Sequence, residues 1–259
     1  MMRTDLPHLS YHEMITNSLS GTDITEVASG IYRISTPVGD LPGGFSFNQY
    51  LVVDDECLLF HTGLRKLFPL VREAIEKVIP LSKLRYISFS HFESDECGAL
   101  NAFLAVAPHA RPACGSIGAL VSIGDFADRE PISLSDGQSL ALGSRTVRWL
   151  DTPHVPHGWD CGLLFEESTH TLLCGDLFTQ GGDGRKPLTE ADILGPSEEF
   201  RRPLDYFAHS TNTTPVLEKL AQLKPQTLAC MHGSAWRGDG AALLRSLAEV
   251  LDRSLQTRE

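Results

Sequence analysis

Residues 90–100 read Ser90-His-Phe-Glu-Ser-Asp-Glu-Cys-Gly-Ala-Leu100. The apolar run Tyr86-Ile-Ser-Phe89 leads into this stretch, and an apolar helical pattern leaves it. Within it, His91, Glu93 and Asp95 stand on alternate positions, with Glu96 next. Carboxylates crowded this closely repel one another, and a bound cation is the simplest group that offsets the repulsion. A polar turn that starts a helix fits the stretch equally well when it is taken alone. The rest of the chain decides between the two readings.

Working outward, strands come first. Ile31–Ile34 alternates, and 48–53 and Cys57–Phe60 flank the turn Asp54-Asp-Glu56 as a hairpin. Leu67, Leu70, Val71, Ala74, Ile75 and Val78 recur at helical spacing, and Pro80 closes that helix. Leu84–Phe89 is the strand that delivers His91. A helix over 98–107, a short strand at Arg111–Gly115 and antiparallel pairs at 137–140 with 146–150 and 161–165 with 171–174 follow. Residues 178–212 are irregular and long for a loop, so they form a lid or carry a short helix. Thr214-Pro215 opens a helix through Leu223, 226–231 is a strand, and a last helix covers about 241–254. This order predicts an α+β sandwich of two facing sheets with helices outside. Residues 1–22 read as an N-terminal arm and 23–259 as a single domain.

Composition narrows the classes. Of 259 residues, 42% are hydrophobic and 21% charged, as in soluble globular proteins. The net charge of -11 argues against a nucleic-acid binder, which needs clustered Lys and Arg to neutralise phosphates. No signal-like or membrane-spanning apolar run stands out, so a cytoplasmic location is expected. The six cysteines show no C-x-x-C pair and read as buried free thiols, with Cys97 set apart only by adjoining the motif.

Polar groups collect where predicted strands end. His61 ends the 57–60 strand, His91 follows 84–89, His157 follows 146–150, Asp176 follows 172–174 and His232 follows 227–231. Strand ends on one edge of a sandwich converge, and sites are built from the loops there. A lone histidine is usually a surface or satisfied core residue, and His8, His12, His109, His170 and His209 are read so. The joint pattern is what points to a site.

These pieces resemble the metallo-β-lactamase superfamily: Asn48-Gln-Tyr-Leu-Val-Val53, Phe60-His-Thr-Gly63, Ser90–Asp95, Gly175-Asp176 and His232-Gly233. The resemblance covers roughly 25–250 and implies a four-layer αβ/βα sandwich. Glu93 stands where the superfamily's hydrolases carry their second histidine. H-x-E-x-D resembles the flavodiiron, diiron oxygen-binding branch instead, and His157-Gly-Trp-Asp160 resembles its His-x-x-Asp segment. The resemblance implies that His91, Glu93 and His157 hold one metal, that Asp95 and His232 hold the other, and that Asp176 bridges them. Mixed carboxylate and imidazole donors suit iron, with zinc and manganese as alternatives.

The pattern is broken at two positions. Glu96 replaces a histidine that ligates the second metal, leaving open whether Glu96 ligates, water fills the place or that metal binds weakly. His61 stands where an aspartate is usual and reads as a residue that orients a ligand or simply packs. His154 competes with His157, which spacing to Asp176 and the neighbouring Trp159 and Asp160 favour.

The resemblance further implies a flavodoxin-like domain after this fold. The sequence runs to Glu259 without a phosphate-cradling loop, so no flavin is expected here and electrons would come from an external redox partner. The leading expectation is a diiron protein that binds, senses or reduces dioxygen. The alternative is a two-metal hydrolase of esters, thioesters or phosphodiesters, with Arg185, Lys186, Arg201 and Arg202 meeting an anionic substrate. An oxygen-responsive interaction protein is a third class. Homodimer formation is left open.

Overall fold

In the computed structural model the described residues are 14–39, 43–183 and 186–256. They form two sheets. The first has eight strands in sequence order: β1 (Met14–Asn17), β2 (Thr22–Ala28), β3 (Ile31–Val38), β4 (Phe45–Val52), β5 (Cys57–Phe60), β6 (Leu84–Ser88), β7 (Arg111–Gly115) and β8 (Ile132–Leu134). The second runs β13 (Leu188–Thr189), β15 (Ala235–Arg237), β14 (Thr227–Ala229), β12 (Thr171–Leu173), β11 (Gly162–Glu166), β10 (Thr146–Asp151) and β9 (Ser139–Ala141).

Each sheet carries helices on its outer face. Phe68–Glu76 and Leu100–Val106 close a core with Ile34, Leu51, Leu59 and Ile87 of the first sheet. Thr213–Ala221 and Gly240–Gln256 do the same for Phe165, Leu172 and Leu228 of the second. Between the sheets lie Tyr50, Phe60, Trp149, Leu164 and Leu173. The expected αβ/βα sandwich is therefore the architecture, with three apolar layers between its four structural ones. Each fully buried Leu or Phe in them contributes about 1.5–3 kcal/mol. Trp149 fills its layer so tightly that a Cβ added at Gly162 would lie 2.1 Å from its ring.

The elements with strong periodicity agree with the sequence reading. The differences have local causes. β2 was missed because it buries Thr22, Asp23 and Thr25, which blurs the apolar alternation. β8, β13 and β15 are too short to show a period. A helical run over 116–126 mixes α and π turns and contains Gly118 and Gly124, poor helix formers. The 178–212 stretch carries the 11-residue helix Leu194–Leu204 as well as β13. β1 falls inside the stretch read as an arm, and residues 1–13, with His8 and His12, lie outside the described residues. Among the described residues no helix is long and apolar enough to cross a membrane.

Topology positions the site. β5, β6 and β7 run parallel, as do β12 and β14, so their C-terminal ends open on one edge. Two clamps join the sheets there. Asn48 of β4 donates from its side-chain amide Nδ2 to the carbonyls of Cys230 and Gly233 at 2.9 and 2.8 Å, and its backbone N–H donates to Met231 O at 2.8 Å. At the other end the Gly162 N–H donates to Ser90 O at 2.8 Å. The loops bearing His232 and His91 are thus each fixed to the opposite sheet by backbone groups.

Candidate metal centre

β6 ends at Ser88, and Phe89-Ser90 carries the chain out of the sheet to His91. Glu93 is extended (φ -136°, ψ 163°) and precedes the short helix Ser94–Cys97, which carries Asp95 and Glu96. The extended step sends His91 and Glu93 to one side. The helix then turns Asp95 to the same opening and Glu96 into the interior, where Glu96 is fully buried.

His91, Glu93, His157 and Asp176 offer ligand atoms that all lie within 4.8 Å of one another. Nε2 of His91 is 3.4 Å from Glu93 Oε2 and 3.8 Å from Asp176 Oδ2. Nε2 of His157 is 3.7 Å from Glu93 Oε1 and 3.5 Å from the same Asp176 Oδ2. The other oxygen, Asp176 Oδ1, faces His232 Nε2 at 3.2 Å, and Asp95 Oδ2 is 3.5 Å from that nitrogen. One carboxylate therefore looks both ways, with three donors on one side and two on the other.

The surroundings aim these groups. His232 donates from Nδ1 to the Ser46 carbonyl at 2.9 Å and stacks on Phe45 at 4.4 Å between ring centroids. His91 and His157 meet edge to face at 4.5 Å. Gly158, at φ +77°, lets its loop pass close over His91, since a Cβ there would stand 3.3 Å from His91 Cβ. Tyr206 lies edge-on to His157 at 5.9 Å and donates its hydroxyl to Asp176 O at 3.2 Å.

The electrostatics are those of carboxylates sharing positive charge. Contacts with His157 and His91 hold Glu93 well below the usual carboxylate range. Burial opposes ionisation of Asp176, but His232, His91 and His157 outweigh it and hold the group at about 2. Burial likewise works against a charged His232, yet Asp176 and Asp95 push it up to about 10. His91 is also raised, with Glu96 and Glu93 overcoming its burial. Without metal, His91 and His232, both held toward their charged forms, set positive charge beside the carboxylates. The donors on the His91 side fit a metal ion: Nε2 of His91 is buried with no hydrogen-bond partner while aimed between two carboxylates. Three carboxylates and three imidazoles surround the opening, without a thiolate, a set that suits iron or manganese well.

The remaining candidates lie elsewhere. His154 is exposed on the loop and outside the cluster. Glu96 points away from the opening: Oε1 accepts from the Ser90 hydroxyl at 2.7 Å, Oε2 accepts from the Ser90 N–H at 3.0 Å and meets His61 Nε2 at 2.7 Å. The contact with His61 is a close approach rather than an aligned hydrogen bond. Of the cations assigned to a substrate anion, Arg201 is buried in a bidentate pair with Glu198 at 2.7 and 2.8 Å, Lys186 and Arg202 are exposed, and Arg185 lies outside the described residues. Sequence reading missed Ser46, Ser90 and Tyr206. Ser90 adjoins the motif, which was a usable signal, whereas Ser46 and Tyr206 reach the site only through folding.

The comparisons agree with this architecture. The model of the ODP family beta-lactamases matches residues 45–233. The chain is 27% identical over 206 residues to rubredoxin-oxygen oxidoreductase of Megalodesulfovibrio gigas, covering 76% of this chain and 50% of the relative. It is 26% identical over 217 residues to a nitric oxide reductase of Moorella thermoacetica, covering 79% and 53%. The chain thus spans about half the length of the curated relatives it matches. Among solved structures, a fragment of a putative diflavin flavoprotein from Nostoc superposes with a TM-score of 0.81 at 18% identity, covering 92% of this chain and 98% of that one. Rubredoxin oxygen:oxidoreductase from Desulfovibrio gigas superposes at 0.75 with 22% identity, covering 88% and 61%. At these identities the structures speak for the fold alone.

Proposed function

The chain belongs to the ODP beta-lactamase family, and from that premise we propose that it is the metal-binding core of a non-haem diiron protein that binds and reduces dioxygen. The observation that carries the reading is Asp176, whose two oxygens face two separate donor groups. His91, Glu93 and His157 would hold one ion, Asp95 and His232 the other, with Asp176 between them. The names of the relatives, an oxygen oxidoreductase and a nitric oxide reductase, support small diatomic molecules as the ligand class.

When bound, a pair of ferrous ions supplies the electrons for dioxygen chemistry. The protein's part is to hold, aim and shield. The Ser46 carbonyl fixes the His232 ring with Nε2 toward the opening. Phe45, stacked on both His232 and Phe200, keeps water off one side, and Tyr206 covers His157 on the other. Glu93, with about half its side chain exposed, stands at the mouth where a small ligand enters. Repeated turnover draws electrons from an external donor; the rubredoxin in the name of one relative supports a small redox protein in that role.

Anaerobic titration of the metal-free protein with ferrous iron tests the reading. Two irons per chain, and oxygen uptake on admitting air with a chemical reductant present, are expected. Retention of less than one iron per chain with no oxygen uptake would overturn it and favour a hydrolytic metal site, checked with zinc-loaded protein and simple esters.

A further inference from the structure

The interior side of the motif has a use of its own. His91 turns Nε2 toward Glu93 and Asp176, and its other nitrogen, Nδ1, lies 3.0 Å from the Ser90 hydroxyl. That hydroxyl has a single proton, and it lies 2.7 Å from Glu96 Oε1, a carboxylate that only accepts. With its proton directed to Glu96, Ser90 can only accept from His91. The hydrogen on Nδ1 of His91 is thereby held in place, so that Nε2 is the nitrogen left to bind a metal ion.

Glu96 is itself held in place. It accepts from the Ser90 N–H at 3.0 Å and meets His61 Nε2 at 2.7 Å, both side chains being fully buried. His61 is a non-glycine residue at φ +67°, a conformation that costs energy and persists only where its surroundings enforce it. The next residue, Thr62, donates its N–H to Glu96 O at 2.7 Å, so both backbone and side chain of this loop grip Glu96. The two positions at which the sequence departs from the diiron pattern, 61 and 96, thus face each other.

We propose that Glu96, clamped by His61, is a positioning residue that acts through Ser90 to set the tautomer and aim of His91 for metal, and is not itself a ligand. This rests on the metal-centre reading above. Glu96 reaches the metal only through His91, by way of Ser90 and by its own approach of 3.6 Å to Nδ1, so its loss weakens binding without removing a binding place. A metal held by Asp95 and His232 would accordingly receive no ligand from Glu96.

Zinc is the test probe, because it is diamagnetic and its binding is read without turnover. In zinc-loaded wild type with nitrogen-15 histidine, the long-range proton–nitrogen spectrum should show His91 metallated at Nε2 with a slowly exchanging proton on Nδ1. Chelator competition should show two zinc ions retained by Ser90→Ala and Glu96→Gln, with the weaker-held ion bound about 10–100-fold less tightly than in wild type. A smaller loss is expected for His61→Gln. Metal at Nδ1 of His91, or affinities within about threefold of wild type in both Ser90→Ala and Glu96→Gln, would overturn the relay. Loss of one whole zinc from Glu96→Gln with Ser90→Ala unaffected would make Glu96 a ligand. The wild-type spectrum decides even if the buried variants fold poorly. Wild type that binds no zinc overturns both this inference and the metal-centre reading, whereas two zincs with unaffected variants overturn only the relay.

Discussion

His232 and His91 approach opposite oxygens of one carboxylate, Asp176, and they are held by different means. His232 leans on a backbone carbonyl, Ser46 O, in a strand tied across to its own loop by Asn48. His91 leans on a side chain, Ser90, backed by two further side chains, Glu96 and His61. A backbone anchor is indifferent to which residue occupies the position. A side-chain relay is written residue by residue and is open to retuning by substitution.

The largest effect should come from the group common to both ends. Asp176→Ala is expected to drop metal content from two ions to below one per chain, measured by elemental analysis against protein concentration, with circular dichroism unchanged. Retention of two ions would separate the ends and remove the bridge. Glu93→Ala should cost one ion and leave the His232 end loaded. Because about half of the Glu93 side chain is exposed, the fold should survive, and unchanged stoichiometry would take Glu93 out of the site.

The pH response sharpens the comparison next. In the metal-free protein Asp176 and Asp95 push His232 up to about 10 despite its burial. Below that value a metal ion must displace a proton from this imidazole. Affinity at the His232 end should therefore rise with pH between 6 and 9, by up to about tenfold per unit for one displaced proton. Calorimetry in buffers of different ionisation enthalpy should report net proton release at pH 7; proton-free binding would refute the charged imidazole. The smallest effect is expected for Ser46→Ala. The carbonyl that anchors His232 remains, and only the hydroxyl that accepts from the Gly233 N–H at 3.0 Å is lost. Stability should fall by about 1 kcal/mol in denaturant unfolding while metal affinity stays within about threefold. A large loss of affinity would mean that the backbone anchor depends on its side chain after all.

Much of this was legible in the residue order. The sandwich followed from strands with clear alternation and helices with apolar faces, such as 67–78. Part of the donor set was legible because His91, Asp176 and His232 come soon after apolar strands, and the resemblance of H-x-E-x-D to the diiron branch supplied Glu93 and Asp95. Where polar residues are buried, as in β2, or where elements are two or three residues long, as in β13 and β15, periodicity carries no signal. The cations of 178–212 illustrate the same limit, since nothing in their spacing distinguishes the buried Arg201–Glu198 pair from the exposed Arg202.

By itself, then, the sequence determined the fold class and the chemistry on offer: imidazoles and carboxylates gathered after the strands, with an acidic turn that a bound cation would neutralise. It left Glu96 and His61 ambiguous, because separation along the chain does not say which way a side chain turns at the start of a short helix. Tertiary structure decided that. Parallel pairing of β5 with β6 sets His61 beside the motif, the turn of 94–97 sends Asp95 outward and Glu96 inward, and two polar side chains 35 positions apart become neighbours at 2.7 Å.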